Sequence, residues 1–393
     1  MPTHARTALD DEGDEEVPVP VNTRGAIMRS APGKWEVTDL VSDDPRSGEI
    51  QVKLAASGLC HSDDHIATGD MPVGHYPILG GHEGAGVVTA VGPNTPGFQE
   101  GDHVVFSFLP GCGRCKYCAN GMQYLCDSGA NLLVGSRWDD AESFRVATSD
   151  GTQVGQMCGL GTFAEVTTVD IRSAVKIDKS IPLEVACLTG CGVGTGWGTA
   201  VQAGGVKAGE TVIVMGIGGI GINAVQGAAH AGASYVIAVD PVAFKREKAQ
   251  ELGATHAFEN MEQAAEFARS VTNGQGADKA LVTVGVTKGE HIAQAFDAIG
   301  KSGTVVVTGL GDLTEVGIPI PIGMLTLFAK EIKGALFGDQ NPSADILKML
   351  RLYQEGTLKL DELITKRYKL EDINQGYEDM HAGKNIRGVI IYD

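Results

Sequence analysis

The residues best suited to chemistry are concentrated in one stretch, Gly58–His65, with the sequence GLCHSDDH. This stretch combines the thiol of Cys60 and the hydroxyl of Ser62 with two carboxylates and two imidazoles. Such groups can bind a metal ion, help to deprotonate a substrate on it and carry the proton away. We therefore expect the rest of the chain to position this stretch against a metal or a cofactor.

A glycine-rich loop is the second informative feature. The apolar run Thr211–Met215 leads into a G-x-G-x-x-G sequence and then into a helical pattern, which is the setting in which this motif binds a dinucleotide. The first glycine permits the turn, the second lets the phosphates approach the backbone, and the third lets helix and strand pack closely. A glycine turn that binds nothing is the alternative. The predicted loop contacts are Gly216, Gly218, Gly219, Ile220 and Gly221.

The residue that ends the next buried strand indicates which dinucleotide is bound. Asp240 lies nineteen residues after Gly221, where a carboxylate can bind both hydroxyls of the adenosine ribose. Because an acid at this position repels a 2′-phosphate, NAD(H) is favoured over NADP(H). Lys245 could also reach the adenosine ribose, although a solvated helix lysine is an open alternative.

Four of the eight cysteines follow a C-x2-C-x2-C-x7-C pattern among glycines. Four thiolates on a short loop can complete a tetrahedral zinc site, which leaves no open position for chemistry. An iron–sulfur cluster is the alternative, but its bacterial pattern ends in x3 before Cys-Pro, whereas here the last interval is x7 and Asp127 follows. We therefore predict a structural zinc bound by Cys112, Cys115, Cys118 and Cys126.

The other candidate metal ligands are dispersed along the chain. Cys60 and His82 are 22 residues apart, and Cys191 lies far downstream. Two thiolates and one imidazole would leave a fourth position open, as a catalytic zinc requires. Glu83 follows His82 but does not belong to an H-E-x-x-H helix, because glycines follow it. From the residues alone, His82 would more often be a turn histidine, and Cys191 or Cys187 a buried apolar thiol.

The pattern of apolar residues changes near Gly192. Before it, short β-rich runs broken by glycine and proline predict a compact, barrel-like β-structure. Residues 132–160 interrupt these runs and are interpreted as an irregular surface insertion. After Gly192, apolar runs without alternation are separated by helical patterns, which predicts a parallel, doubly wound sheet and an α/β fold class.

Composition argues against several classes of partner. The 393-residue chain has a formal net charge of −18 and no stripe of clustered lysine and arginine, so nucleic acid is not expected to bind. The sequence contains no run of roughly eighteen apolar residues, so we predict no membrane span. The first residues lack the pattern of a signal peptide, which predicts a cytoplasmic location. Residues 1–22 carry an acidic run followed by valines and prolines, which predicts a flexible tail.

Taken together, these residues resemble the zinc-dependent alcohol dehydrogenases of the medium-chain dehydrogenase family. The likeness runs from about Arg24 to Asp393 and rests on Gly80–Gly86, the four-cysteine lobe, Gly190–Gly192 and the dinucleotide loop. The resemblance implies a Rossmann doubly wound parallel sheet inserted into a GroES-like β-barrel catalytic domain. The implied boundaries are a tail at 1–22, a catalytic domain with two zinc sites at 23–192 plus 337–393, and an NAD-binding domain at 193–336.

The resemblance also implies how the catalytic metal is held. Cys60, His82 and Cys191 match the zinc ligands of the family. Glu83 matches a carboxylate that can approach the metal, and Asp63 matches the acid that orients the ligating histidine.

Further implied roles concern the proton, the substrate and the coenzyme. Ser62 matches the hydroxyl that contacts the substrate oxygen and passes its proton, by way of the cofactor ribose, towards His65. His65 matches the outer end of this relay, from which the proton goes to solvent. The remaining implied contacts are His61 and Arg387 with the coenzyme pyrophosphate, Thr195 with the coenzyme, Phe108 with the substrate and Trp197 with the nicotinamide.

The implied reaction is hydride transfer between a primary alcohol, or an aldehyde, and NAD(H). The acidic extension and the insertion around Trp138, which includes the unassigned Cys158, resemble the bacterial nicotinoprotein subgroup. Its members keep NAD(H) tightly bound and are assayed with the nitroso-aniline dye NDMA. The subgroup implies an electron acceptor such as the redox peptide mycofactocin, and the family usually forms homo-oligomers. The alternatives are a thiol-dependent formaldehyde dehydrogenase on the same scaffold and a catalytically silent NAD-binding relative.

Overall fold

The computed structural model describes residues 20–314 and 316–393. Residues 1–19 of the predicted tail lie outside the described residues, and its last two residues, Val21 and Asn22, belong to a β-strand instead. The described chain begins with β-strands and short helices. In chain order these are β1 (Val21–Met28), β2 (Glu36–Ser42), β3 (Glu49–Gly58), α1 (His61–Thr68), β4 (Ile78–Leu79), β5 (Gly84–Val91), β6 (His103–Phe106), α2 (Lys116–Ala119), β7 (Val146–Thr148), β8 (Gln153–Gln156), β9 (Val166–Asp170), β10 (Ala174–Ile177), α3 (Leu183–Ala186) and α4 (Gly192–Gly198).

Strands and helices then alternate, and the chain closes with two further strands. In chain order these elements are β11 (Thr211–Met215), α5 (Gly221–His230), β12 (Tyr235–Val239), α6 (Ala243–Glu251), β13 (His256–Phe258), α7 (Met261–Val271), β14 (Ala277–Val282), α8 (Gly289–Ala298), β15 (Ile299–Val307), α9 (Ile322–Leu327), β16 (Glu331–Gly334), α10 (Pro342–Gln354), β17 (Ile364–Tyr368), α11 (Ile373–His381) and β18 (Arg387–Ile391).

A closed barrel forms in the order β1-β2-β7-β8-β4, and it corrects the interpretation of residues 132–160. Strands β7 and β8 belong to this segment, and Val146 and Val154 place their side chains in the barrel core. The segment is therefore part of the barrel wall and not an irregular surface insertion. The two strands are three and four residues long, too short for their alternation to stand out in the sequence.

A second sheet joins the first part of the chain to its last strand. Its order is β10-β6-β5-β3-β18-β17, with β9 also paired to β3. Strand β18 is antiparallel to β3, with Val389 opposite Gly58. This pairing brings Arg387, at the start of β18, beside the Gly58–His65 stretch. The predicted domain boundaries themselves stay a prediction.

The third sheet confirms the predicted parallel, doubly wound arrangement. Its order is β13-β12-β11-β14-β15-β16, and every recorded pairing in it is parallel. All residues of β11 are buried, which explains why this strand reads as a continuous apolar run. Helix α5 packs Ile222 and Val225 against the sheet, and burying each such side chain contributes roughly 1.5–3 kcal/mol. Among the described residues, no helix is long and apolar enough to cross a membrane.

Candidate active site

A cleft of about 1490 Å³ lies where the ends of the parallel strands meet helix α1. Met215 and Val239, the last residues of β11 and β12, line it. Doubly wound sheets bind their ligands outside the carboxyl ends of their strands. The predicted site residues that line the cleft are Cys60, His61, Ser62, His65, Phe108, Cys191, Thr195, Gly216, Gly218, Gly219, Ile220, Asp240, Lys245 and Arg387.

Helix α1 presents its hydroxyl and its last histidine to this cleft. Cys60 is the N-cap of the helix, and its Sγ lies 3.7 Å from Ser62 Oγ. Ser62 and His65 are three residues apart, so they share one face of the helix. The geometry therefore places a thiol, a hydroxyl and an imidazole in succession along one wall of the cleft.

Four potential metal ligands converge at the base of the cleft. Ligand atoms of Cys60, His82, Glu83 and Cys191 all lie within 4.8 Å of one another, and all four residues are buried. A hydrogen bond from Cys191 holds the pKa of Cys60 well below its usual range, against the effect of burial. His82 Nε2 is buried without a hydrogen-bond partner among the described residues. Because thiolate and imidazole are the donors that zinc prefers, this cluster fits a zinc ion.

Asp63 contacts the His82 ring of this cluster. Its Oδ2 lies 3.2 Å from His82 Nδ1, and its Oδ1 accepts a hydrogen bond from the Gly81 amide at 2.8 Å. Burial raises the pKa of Asp63, and His82 acts against that rise. A carboxylate on the far ring nitrogen fixes the tautomer of a metal-binding histidine and leaves Nε2 free for the metal.

Glu83 is paired with an arginine from the other end of the chain. Arg387 Nη2 donates to Glu83 Oε2 and to the Leu59 carbonyl at 3.2 Å. Glu83 Oε1 accepts a hydrogen bond from the Gly192 amide at 3.2 Å. Burial raises the pKa of Glu83 to about 7, although Arg387 opposes the rise. Arg387, which lines the cleft, therefore also balances the negative charge of the buried Glu83 carboxylate beside the metal ligands.

The four cysteines of the predicted structural zinc site also converge. Their sulfur atoms all lie within 4.8 Å of one another, and backbone amides donate to three of them at 3.3–3.5 Å. The amide of Arg114 is the largest influence on Cys112 and lowers its pKa to about 6. Amide donors stabilise thiolates, so this loop fits a second zinc ion with no open position. The cluster consists of Cys112, Cys115, Cys118 and Cys126.

The conformation of the dinucleotide loop agrees with the roles predicted for its glycines. Gly216 has φ +92°, which side-chain-bearing residues rarely adopt, and a Cβ on Gly218 would meet no atom within 4 Å. Asp240 Oδ2 accepts from the Ile217 amide at 2.8 Å, and Oδ1 accepts from the Val242 amide at 2.9 Å. The carboxylate is thereby fixed between the glycine loop and the start of the next helix, with lone pairs left for ribose hydroxyls.

The structure does not bring every predicted residue to the cleft. Trp197 is 1% exposed and packs against His230, with ring centroids 4.9 Å apart. It lies in the core between α4 and α5, so the predicted position beside the nicotinamide is wrong. Gly221 does not line the cleft either: its Cβ would lie 1.8 Å from the Gly216 carbonyl oxygen, so it serves the close packing of helix and strand.

Two features next to the predicted site residues were missed in the sequence. The end of α11 and the residues after it line the cleft, including Met380, His381 and Gly383. Asp70 lies 3.3 Å from His65 Nδ1. Neither carries a sequence motif that could have identified it.

Comparison with protein families matches two parts of the chain. The alcohol dehydrogenase GroES-like domain matches residues 46–179. The zinc-binding dehydrogenase family matches residues 219–355.

Relatives and solved structures match almost the whole chain. It is 54% identical over 372 residues to the NDMA-dependent alcohol dehydrogenase of Amycolatopsis methanolica, covering 95% of this chain and 99% of that protein. It is 46% identical over 372 residues to alcohol dehydrogenase B of Mycobacterium tuberculosis, with coverage of 95% and 99%. The crystal structure of an alcohol dehydrogenase zinc-binding domain protein from Burkholderia ambifaria superposes with a TM-score of 0.88 at 32% identity, covering 95% of this chain and 100% of that one.

Proposed function

The chain belongs to the zinc-dependent alcohol dehydrogenases of the medium-chain family, and we propose that it transfers hydride between a primary alcohol, or an aldehyde, and tightly bound NAD(H). One observation carries this proposal. The cluster of Cys60, His82 and Cys191 opens into the same cleft that the dinucleotide loop lines. A metal-bound substrate and a nicotinamide coenzyme would therefore meet there.

Some of these side chains would bind the metal, and others would transfer a proton. Cys60, His82 and Cys191 would hold the ion, and Glu83 stands beside them in the same cluster. When bound, zinc lowers the pKa of an alcohol on it and NAD accepts the hydride. Ser62 Oγ, 3.7 Å from Cys60 Sγ, would accept a hydrogen bond from a substrate hydroxyl in the cleft and would pass the proton, by way of the coenzyme ribose, towards His65.

The elements that line the cleft support the proposal that the coenzyme stays bound between turnovers. The segment after α11 faces the start of α6, because a Cβ on Gly383 would lie 3.3 Å from Val242 Cγ2. His381 in turn bonds to Asp64 of α1 at 2.7 Å. A dinucleotide anchored at Asp240 would be enclosed between these elements. A coenzyme held in this way has to be reoxidised in place, and we propose a redox carrier of the mycofactocin kind as the acceptor.

Turnover without added coenzyme tests this function. Protein purified without NAD is mixed with a primary alcohol and the dye NDMA, and we expect the dye to be bleached and one nicotinamide nucleotide per chain to appear on denaturation. Ser62→Ala is the matched control and should bleach the dye far more slowly. Turnover only with added NAD would contradict the tight binding, and no alcohol oxidation under either condition would contradict the function itself.

We also propose that copies of the chain associate through the nucleotide-binding half. Apolar side chains between β15 and β16 are strongly exposed, with Val316 at 91% and both Ile322 and Leu327 at 79%. They lie beside β16, which forms an edge of the parallel sheet. Exposed apolar patches of this kind mark interaction surfaces. Light scattering of the purified protein tests the proposal, which a monomer at micromolar concentration would contradict.

A further inference from the structure

His65, the expected outer end of the proton relay, does not reach solvent. Its side chain is only 4% exposed, and its ring lines the cleft that would hold the coenzyme. A buried imidazole can receive a proton from the cleft, but it needs a neighbour to release that proton to bulk water. The relay therefore requires one more group beyond His65.

Both ring nitrogens of His65 face oxygen acceptors. Nε2 lies 3.1 Å from the Gly285 carbonyl oxygen, and Nδ1 lies 3.3 Å from Asp70 Oδ2. Neither a carbonyl nor a carboxylate can donate a hydrogen. Both contacts are satisfied together only when both nitrogens carry hydrogen, so each nitrogen has an acceptor for the hydrogen that it carries during a transfer.

Asp70 lies on the side of His65 that faces away from the cleft. Its side chain is 37% exposed, and it is not among the residues that line the cleft. The turn after α1 fixes it there. The amides of Gly69 and Met71 both donate to the His65 carbonyl, at 3.1 and 3.0 Å, and Thr68 Oγ1 donates to Asp70 Oδ2 at 3.0 Å.

Other titratable groups near His65 do not occupy this position. The His61 ring centroid is 6.5 Å from that of His65, and His61 lines the cleft. Asp64 is bonded to His381, on another element. Among the described neighbours with a recorded contact to the His65 ring, Asp70 alone combines a carboxylate with access to water.

We propose that Asp70 is the positioning residue that holds Nδ1–H of His65 and the exit through which the proton leaves for solvent. This proposal rests on the alcohol dehydrogenase function proposed above. As a proton reaches Nε2 from the cleft, Nδ1–H passes to Asp70 Oδ2, and the carboxylic acid then loses it to water. One N–H bond forms and one breaks, and no electrons are transferred. The reverse path, used when the coenzyme is reoxidised, restores the ring to its starting tautomer.

Asp70→Asn tests the exit, because asparagine keeps the size of the side chain but cannot accept the proton. In single-turnover mixing of coenzyme-loaded enzyme with alcohol, we expect reduction of the bound coenzyme to slow about a hundredfold, the lower end of the range for one acid–base group. A small buffer base such as imidazole should restore the rate in the variant and leave the unmodified enzyme unaffected. Asp139→Asn, at an exposed carboxylate of the 132–160 segment, is the control for lost charge.

A double variant separates proton transfer from a structural effect. In a His65→Gln background, Asp70→Asn should cause no further loss of rate, because the group it serves is gone. Thr68→Ala, which removes one hydrogen bond to Asp70, provides a milder second variant. An Asp70→Asn enzyme that shows the same rate and buffer response as Asp139→Asn would overturn the proposal, and so would an equal loss in the His65→Gln background.

Nitrogen NMR of the histidine rings examines the contact without relying on turnover. In coenzyme-free protein, we expect the His65 Nδ1 signal of the unmodified chain to show a bound hydrogen and that of Asp70→Ala, which removes the acceptor oxygen, to move towards an unprotonated nitrogen. Unchanged signals would contradict the role of Asp70. If the unmodified enzyme oxidised no alcohol, the function would fail, and this spectrum would still decide whether Asp70 holds Nδ1–H.

Discussion

Glu83 and Arg387 form an ion pair in the core although 304 residues separate them in the sequence. Glu83 is fully buried and Arg387 is 3% exposed. The pair connects the turn that carries His82 to the first residue of β18. It therefore couples the geometry of the metal cluster to the return of the chain into its first sheet.

Removing the arginine alone should be strongly destabilising. We expect Arg387→Met to lower the free energy of unfolding by about 3–5 kcal/mol, because a buried carboxylate loses its counter-charge. The double variant Glu83→Gln with Arg387→Met should recover part of this loss, since it leaves no buried charge. Urea unfolding of the three proteins measures the effect, and equal stabilities of the single and double variants would contradict it.

A second buried charge cluster joins the 132–160 segment to the start of β3 and predicts a pH dependence. Arg145 Nε lies 2.7 Å from Glu49 Oε1, and Arg137 Nε lies 3.0 Å from the same oxygen. Burial alone would raise the pKa of Glu49, but Arg145 and Arg137 outweigh it and lower that pKa. The stabilisation is therefore present above the unfolded pKa, near 4.5, and is lost as the pH falls through the lower folded value.

Glu49→Gln tests this dependence. At neutral pH we expect the variant to be less stable by about 3–5 kcal/mol, since Arg145 loses its carboxylate and Arg137 keeps only its pairing with Asp43. As the pH falls below the folded pKa, the protonated carboxyl of the unmodified protein comes to resemble the amide, and the difference should vanish. Urea unfolding from neutral to acid pH gives the comparison, and a difference that stays constant would contradict this account.

Asp240 should set the preference for NAD over NADP. Asp240→Asn keeps an oxygen for one backbone amide but removes the charge that attracts ribose hydroxyls and repels a 2′-phosphate. We expect the affinity for NAD to fall about tenfold, equivalent to roughly 1.4 kcal/mol, and the discrimination against NADP to shrink. Calorimetric titration of coenzyme-stripped protein checks this, with Asp139→Asn as control, and unchanged affinities for both coenzymes would refute it.

Local patterns predicted much of this fold, and distant pairings account for what they missed. The four cysteines and the loop after β11 could be recognised because their residues are close in sequence and their spacing is set by local geometry. Cys60, His82 and Cys191 could be joined only through a family resemblance, because their convergence depends on tertiary packing. The roles assigned to these residues stay predictions.

The errors also have physical causes. The 132–160 segment is interpreted from the sequence as a surface insertion because the sequence does not show that Glu49 balances the charges of Arg137 and Arg145 in the interior. Trp197 was placed by analogy beside the nicotinamide, whereas the close packing of α4 on α5 holds it in the core. Asp70 carries no motif, and its relation to His65 depends on the turn that ends α1.

Zinc content of Cys191→Ser, measured beside Cys187→Ser, tests the proposed active site most directly. Cys187 is a matched control because it is buried four residues earlier and lies outside both ligand clusters. We predict two zinc ions per chain in the unmodified protein and in Cys187→Ser, one at each cluster. Cys191→Ser should retain the zinc of the four-cysteine loop alone and lose alcohol oxidation. A Cys191→Ser protein that kept two zinc ions and full activity would contradict the account.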